Sequence, residues 1–293
     1  MIFDWAFHVV IDEKSLYFGS SVDDQVHCLN VEDGKVRWKF FTEAPVRFAP
    51  TIYHGNVYIG SDDGLAYCVS AEDGQEIWRY EADPEGYRLP GNNRMISISP
   101  IRSGVLVDED VAYFSAGLFS FNNAFLFAIN AKNGDLIWQE KISSFSPQGY
   151  LLSSTEQLYV QNSRGNPFVF KKSDGDYIHT LGGGGGTFAL ISDQTLISGP
   201  GNTGQMSAFK VNTKTQIATF KGNQMIVTPS VSYLHTENTL SALDRYLYLD
   251  LIERRGLLMT KRDVVNKRFS TLGEDNPHTK GLRERLHVVI LIP

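Results

Sequence analysis

Cys28-Leu29-Asn30-Val31-Glu32-Asp33-Gly34-Lys35-Val36-Arg37-Trp38 returns forty residues later as Cys68-Val69-Ser70-Ala71-Glu72-Asp73-Gly74-Gln75-Glu76-Ile77-Trp78. It returns again as Ala128-Ile129-Asn130-Ala131-Lys132-Asn133-Gly134-Asp135-Leu136-Ile137-Trp138. A repeat of this length means that the chain is built from copies of one small unit, none able to bury its apolar face alone. Before each copy runs a short aromatic and β-branched stretch: Leu16–Ser20, Val57–Ser61, Ala112–Ser115, Leu158–Gln161 and Leu196–Gly199. Such runs, ended by small turn residues, read as strands. Asp-Gly or Asn-Gly after the second strand is a hairpin signal, because glycine takes a positive φ without strain.

Each copy therefore reads as strand, turn, strand, turn, strand, with the tryptophan on the last. Two copies are degenerate: Ser173-Asp174-Gly175 is followed by His179 in the tryptophan column, and Asn212-Thr213-Lys214 by Ala218. A sixth starts at Thr239 and loses the pattern. The expectation is an all-β fold, a β-propeller of four-stranded blades with about six blades present, either a closed ring or an open arc of a larger one. Repeats are expected over residues 1–250. Residues 251–293 are expected to be an irregular basic segment, with short helices at 251–255 and 263–268 and a strand at 287–292 that could close the ring.

The pattern Ala/Cys-Leu/Ile-Asn/Ser-x-x-x-Gly-x-x-x-Trp resembles the PQQ-like repeat of quinoprotein-alcohol-dehydrogenase-like propellers, over roughly residues 10–245. The resemblance is strongest to large bacterial PQQ-binding-like repeat proteins, through Phe18–Ser21, Pro45–Pro50 and Ser61–Gly64. It implies that Trp38, Trp78 and Trp138 dock between blades, with Gly34, Gly74 and Gly134 in the turns before them. Family members include dehydrogenases that use pyrroloquinoline quinone with calcium, and a non-enzymatic propeller that scaffolds outer-membrane protein assembly. The dehydrogenases cover their cofactor with a disulfide between adjacent cysteines, and this chain has no Cys-Cys pair. The resemblance also implies an exported or periplasmic bacterial protein. The start, Met1-Ile2-Phe3-Asp4-Trp5, lacks the basic and apolar pattern of a signal peptide, so the compartment stays open.

Net charge is −6, which demands no nucleic-acid partner, and no stretch is apolar and long enough to insert in a membrane. Cys28 and Cys68 share a column with Ala128 and Ala208, so both read as small core thiols. Asp23-Asp24 and Asp62-Asp63 read as hairpin turns, Gly182 to Gly186 as a flexible linker, and no histidine pair has metal-ligand spacing.

The repeat is broken between Trp78 and Trp138, by an insertion at Asp83–Arg94 and a longer hairpin at Gly117–Asn123. Loops grafted on a rigid frame are where binding concentrates. Arg47, Asn92, Asn93, Arg94 and Arg102 are the candidate ligand-binding residues, lining one mouth of the propeller, with arginine suited to carboxylate or phosphate. No catalytic residue, metal or cofactor is expected. The function expected is a binding or assembly scaffold, within a larger envelope or exported protein, for a protein, carbohydrate or anionic ligand. Dimerisation is expected if the ring is open. The alternative is a PQQ-dependent alcohol or sugar oxidoreductase, with calcium.

Overall fold

A computed structural model of the chain describes residues 8–91, 94–118, 124–162, 165–183, 185–186, 188–192, 194–200 and 204–272. Blade I is β1 (Val10–Asp12), β2 (Ser15–Ser20), β3 (Gln25–Asn30) and β4 (Val36–Phe41), paired in that order. Blade II repeats it as β5 (Thr51–Tyr53), β6 (Asn56–Gly60), β7 (Leu65–Ser70) and β8 (Glu76–Glu81). An extra hairpin follows, β9 (Arg88–Gly91) with β10 (Arg94–Ser97). Blade III is β11 (Leu106–Asp108), β12 (Val111–Ala116), β13 (Ala124–Asn130) and β14 (Leu136–Ile142). Blade IV is β15 (Leu152–Ser153), β16 (Gln157–Asn162), β17 (Gly165–Lys171) and β18 (Tyr177–Thr180). Blade V is β19 (Phe188–Ser192), β20 (Thr195–Gly199), β21 (Gln205–Lys210) and β22 (Gln216–Lys221). The sheet after it has three strands, β23 (Gln224–Val227), β24 (Val231–His235) and β25 (Leu240–Asp244).

The all-β propeller architecture is thus present, as five four-stranded sheets and one of three strands among the described residues. The sequence pattern shows three strands per copy. The fourth, at the start of each blade, is only two to five residues long and half exposed, too short to show a period. These first strands approach one another between blades I and II, II and III, and IV and V, which puts them at the inner edge. The chain divides into two compact units, residues 1–224 and 225–293.

The core of the first unit lies between blades. Tyr17, Val26, Cys28 and Trp38 of blade I pack on Val57, Ile59, Tyr67 and Val69 of blade II. Tyr58, Cys68 and Trp78 of blade II pack in turn on Phe114, Phe127 and Ile129 of blade III. In all five blades the register slips between the last two strands at the same place, after Cys28, Cys68, Ala128, Val169 and Ala208. The slip sets Trp38 opposite Cys28, Trp78 opposite Cys68 and Trp138 opposite Ala128, a large ring against a small side chain each time. Both cysteines are free and buried, and burial pushes the Cys68 thiol up to about 12, so both are packing groups.

Trp38, Trp78 and Trp138 each reach the next blade. Trp38 Nε1 donates to the Ala71 carbonyl at 3.0 Å, Trp78 Nε1 to Ala131 at 2.9 Å and Trp138 Nε1 to Lys172 at 3.2 Å. Its ring lies on the turn glycine of that blade. A Cβ at Gly74 would stand 2.8 Å from Trp38 Cδ2, one at Gly134 3.1 Å from Trp78 Cδ2, and one at Gly175 2.7 Å from Trp138 Cζ3. Gly34 has the same positive φ, 68°, but nothing within 4 Å of that position. Gly34→Ala should therefore cost only the left-handed backbone strain, about 1 kcal/mol. Gly74→Ala should add about 1–3 kcal/mol of overpacking against the indole. Equal urea midpoints for the two variants would contradict this ordering.

His179 occupies the tryptophan column of blade IV, opposite Val169. It is 7 % exposed, and burial holds its pKa below the usual value. The fold prefers the neutral ring, so this stability is complete above the unfolded pKa of about 6.5 and is lost as pH falls through the lowered folded value. Wild type should lose thermal stability relative to His179→Phe between about pH 7.5 and pH 5. Parallel melting curves across that window would exclude the effect.

Two segments depart from the sequence reading. Gly182 to Gly186 reads as a flexible linker in the sequence; in the structure Gly182 has open space, but Gly183, Gly185 and Gly186 are close-packed, and a Cβ at Gly185 would fall 1.6 Å from the Gly165 carbonyl oxygen. Glycine is needed there for close approach of backbones. The repeats end at Asp244, and one 28-residue helix, α1 (Arg245–Leu272), replaces the two short helices expected. Asp244 caps it, accepting the Leu247 N–H at 2.9 Å, and Gly256 is the only helix-disfavouring Gly or Pro within it. The strand expected at 287–292 lies outside the described residues.

Candidate functional site

Each connection from the last strand of one blade to the first of the next crosses the ends of the central hairpins. Val46 N–H donates to the Ser20 carbonyl, Asp62 N–H to Pro45 and Ile101 N–H to Ser61. Gly19 and Gly60 leave room for these crossings, since a Cβ on either would stand 2.5 Å from Val46 Cγ1 or Ile101 Cγ2. Arg47 follows Val46 and Arg102 follows Ile101, so the two arginines hold equivalent places on successive crossings. Both reach back to one carboxylate on the β6–β7 turn.

That carboxylate is Asp62, fully buried. Arg47 Nε donates to its Oδ2 at 2.7 Å; Arg102 donates from Nε to Oδ1 at 3.1 Å and from Nη2 to Oδ2 at 3.0 Å. The arginine side chains remain 30 % and 21 % exposed. One negative charge thus fixes two positive ones, leaving a net positive patch at the surface. Among the described residues, neither terminal nitrogen of Arg47 and not Nη1 of Arg102 has a partner. Asp62 does lie in the turn expected of it, and its side chain has a second role there, buried between two guanidiniums. Its neighbour Asp63 does shape the turn: its Oδ1 accepts the Leu65 N–H at 2.9 Å, while Oδ2 accepts Glu43 N–H and the Tyr67 hydroxyl at 2.7 Å. Burial raises the Asp63 carboxyl above the usual range, and burial beside it raises the Tyr67 phenol.

The insertion after Trp78, expected as a loop, folds into the β9–β10 hairpin and lies on blade I. Arg94, half-buried, bonds Asp24 and the Val22 carbonyl on the β2–β3 turn, and Arg88 pairs with Glu43. Arg94 is therefore a strut rather than a neighbour of Asp62. Asn92 and Asn93 lie outside the described residues, as do residues 119–123 of the longer hairpin. The sequence signal that could have found Asp62 was the pair Val46-Arg47 and Ile101-Arg102, the same two residue types at the same place in two copies.

Against the inner strands of blades I and II lies an open hollow of about 640 Å³, lined by His8, Val10, Asp12, Thr51, His54 and Tyr150. The Tyr150 hydroxyl there is bonded to His8 Nδ1 at 3.1 Å and accepts the Ala49 N–H at 3.4 Å. A quinone–calcium site needs free carboxylate oxygens around the ion. Asp62 spends its oxygens on guanidiniums and Asp63 on three donors, and among the described residues no three His, Cys, Asp or Glu cluster. These residues do not fit that cofactor.

Fold, repeat and inter-blade tryptophans define a PQQ-like repeat β-propeller. Residues 2–246 match the family described as outer membrane protein assembly factor BamB, and the chain belongs to that family. BamB from Moraxella catarrhalis has a similar fold, with 13 % identity and a TM-score of 0.58 over 81 % of this chain and 76 % of that one. The computationally designed Ika8 protein is similar at 14 % identity and a TM-score of 0.62, over 80 % of this chain and 70 % of its own. Quinohemoprotein alcohol dehydrogenase from Comamonas testosteroni gives 11 % identity and a TM-score of 0.61, over 80 % of this chain and 52 % of that one. At these identities the likeness is one of fold. No curated protein matches the chain. Among the described residues no helix is long and apolar enough to cross a membrane.

Proposed function

We propose that the protein is a non-enzymatic binding scaffold that docks an anionic segment of a protein partner on the face where Arg47 and Arg102 meet Asp62. The observation that carries this reading is the pair of partly exposed guanidiniums fixed by one buried carboxylate. Their side chains are ordered before binding, so little rotamer entropy remains to be lost, and their outward N–H groups match a carboxylate or phosphate. The family description, an assembly factor, supports a protein partner. The ligand class is an acidic peptide rather than a substrate to be turned over.

A labelled oligoglutamate peptide tests the reading by fluorescence anisotropy. Arg47→Ala leaves Asp62 its two bonds from Arg102 and should preserve the fold. It should weaken binding about tenfold or more, the loss of one charge-assisted contact. Unchanged affinity in a variant of unchanged melting temperature would overturn the proposal.

A further inference from the structure

The β6–β7 turn holds two buried carboxylates side by side, and their partners differ in kind. Asp62 is bonded by two guanidiniums. Asp63, 7 % exposed, is bonded by neutral donors: the Leu65 N–H at 2.9 Å, the Glu43 N–H at 3.1 Å and the Tyr67 hydroxyl at 2.7 Å.

The charged groups around Asp63 are committed elsewhere. Glu43, on the crossing into blade II, pairs with Arg88 of the β9–β10 hairpin. On β8, Arg79 stands opposite Tyr67 and pairs with Glu76, while Glu81 stands opposite Leu65. Asp83 follows Ala82, whose N–H bonds the Gly64 carbonyl. Arg47 and Arg102 go to Asp62, and Arg94 goes to Asp24. Among the described residues Asp63 forms no ion pair. A buried carboxylate without a cation is costly, and burial raises this one above the usual range despite its three donors.

Two guanidiniums and Asp62 leave one net positive charge, which ionised Asp63 offsets. Adjacent residues keep the two carboxylates within roughly 10 Å of each other, where partly buried charges are weakly screened. We propose, resting on the anion-binding reading of the Arg47–Arg102 face, that Asp63 is the proton-operated switch of that site. Ionised, it holds the face near neutral. A proton taken from solvent onto Oδ2 removes that charge and finds an acceptor at once in the Tyr67 oxygen, whose own proton turns away. The Leu65 N–H keeps Oδ1, so the turn stays in place while the face becomes positive. Binding and protonation are linked reciprocally, so an anion on the arginines draws a proton onto Asp63.

Sulfate, dianionic throughout, is the probe, with binding followed by calorimetry from about pH 8 to about pH 4.5. Wild-type affinity should rise about fivefold or more as pH falls. Asp63→Asn should bind sulfate tightly across the range. Tyr67→Phe removes a donor to the carboxylate and should move the wild-type transition to higher pH. In two buffers of different ionisation heat, wild type should take up protons on binding, a readout that needs no variant. Without ligand, the cost of ionising Asp63 is absent below the unfolded value of about 3.9 and complete above the raised folded one. Wild type should therefore lose melting temperature relative to Asp63→Asn as pH rises. Parallel affinity or melting profiles for the two proteins, or binding without proton uptake, would overturn the switch and leave the anion site standing. Sulfate bound alike by wild type and Arg47→Ala at every pH would overturn the anion site, and the switch with it.

Discussion

Trp78→Ala is expected to lower the unfolding free energy by ~3–5 kcal/mol, the range for removing a large buried aromatic side chain. The indole is 8 % exposed, lies over Gly134 and packs in the cluster shared by blades II and III. Its N–H bond to Ala131 is lost as well, although that carbonyl keeps the Tyr58 hydroxyl at 3.1 Å. The cavity forms between blades, where neither sheet can close it without moving its whole strand register. The check is the urea midpoint at constant slope. A loss below ~1 kcal/mol would mean that the blades hold together mainly through their central strands.

Asp62→Ala is the second large effect, with an expected loss of ~2–4 kcal/mol. The value lies below the upper range for a broken buried pair because the two guanidiniums left behind are partly exposed and can turn to water. Those guanidiniums would repel each other without the carboxylate, so a polyvalent anion should take its place. Phosphate should raise the melting temperature of Asp62→Ala more than that of wild type, by mass action on the folded state. Equal phosphate effects on the two proteins would show that the arginines do not form an anion site once freed. The measurement also bears on the proposed function, because it tests whether the guanidiniums remain in place to hold a ligand.

Much of the fold was legible because the repeat records the same physical demands several times. Asp33-Gly34, Asp73-Gly74 and Asn133-Gly134 announce turns that need positive φ. Cys28, Cys68 and Ala128 announce a small column facing tryptophan. The short first strands were not legible, since two to five half-exposed residues carry no period. Helix α1 was underestimated because its charged and apolar residues follow no amphipathic stripe, so only the Asp244 cap marks its start. At the candidate site the arginines were visible as residue types near strand ends. Their separation into a pair on Asp62 and a strut on Asp24 was not visible, because sequence distance says nothing about which crossing lies over which turn.

The sequence by itself determined that this is a repeated β unit, where its turns fall, which column takes the tryptophan and that both cysteines are packing residues. These are local or periodic properties, and a period of forty residues states them more than once. Only the tertiary structure decided that Asp62 is the hub of the arginine pair, that Gly183, Gly185 and Gly186 are close-packed, and that among the described residues Gly34 carries no indole. Each of these depends on what a neighbouring blade brings within a few ångströms. That information is absent from any single copy of the repeat and arises only when the copies are stacked.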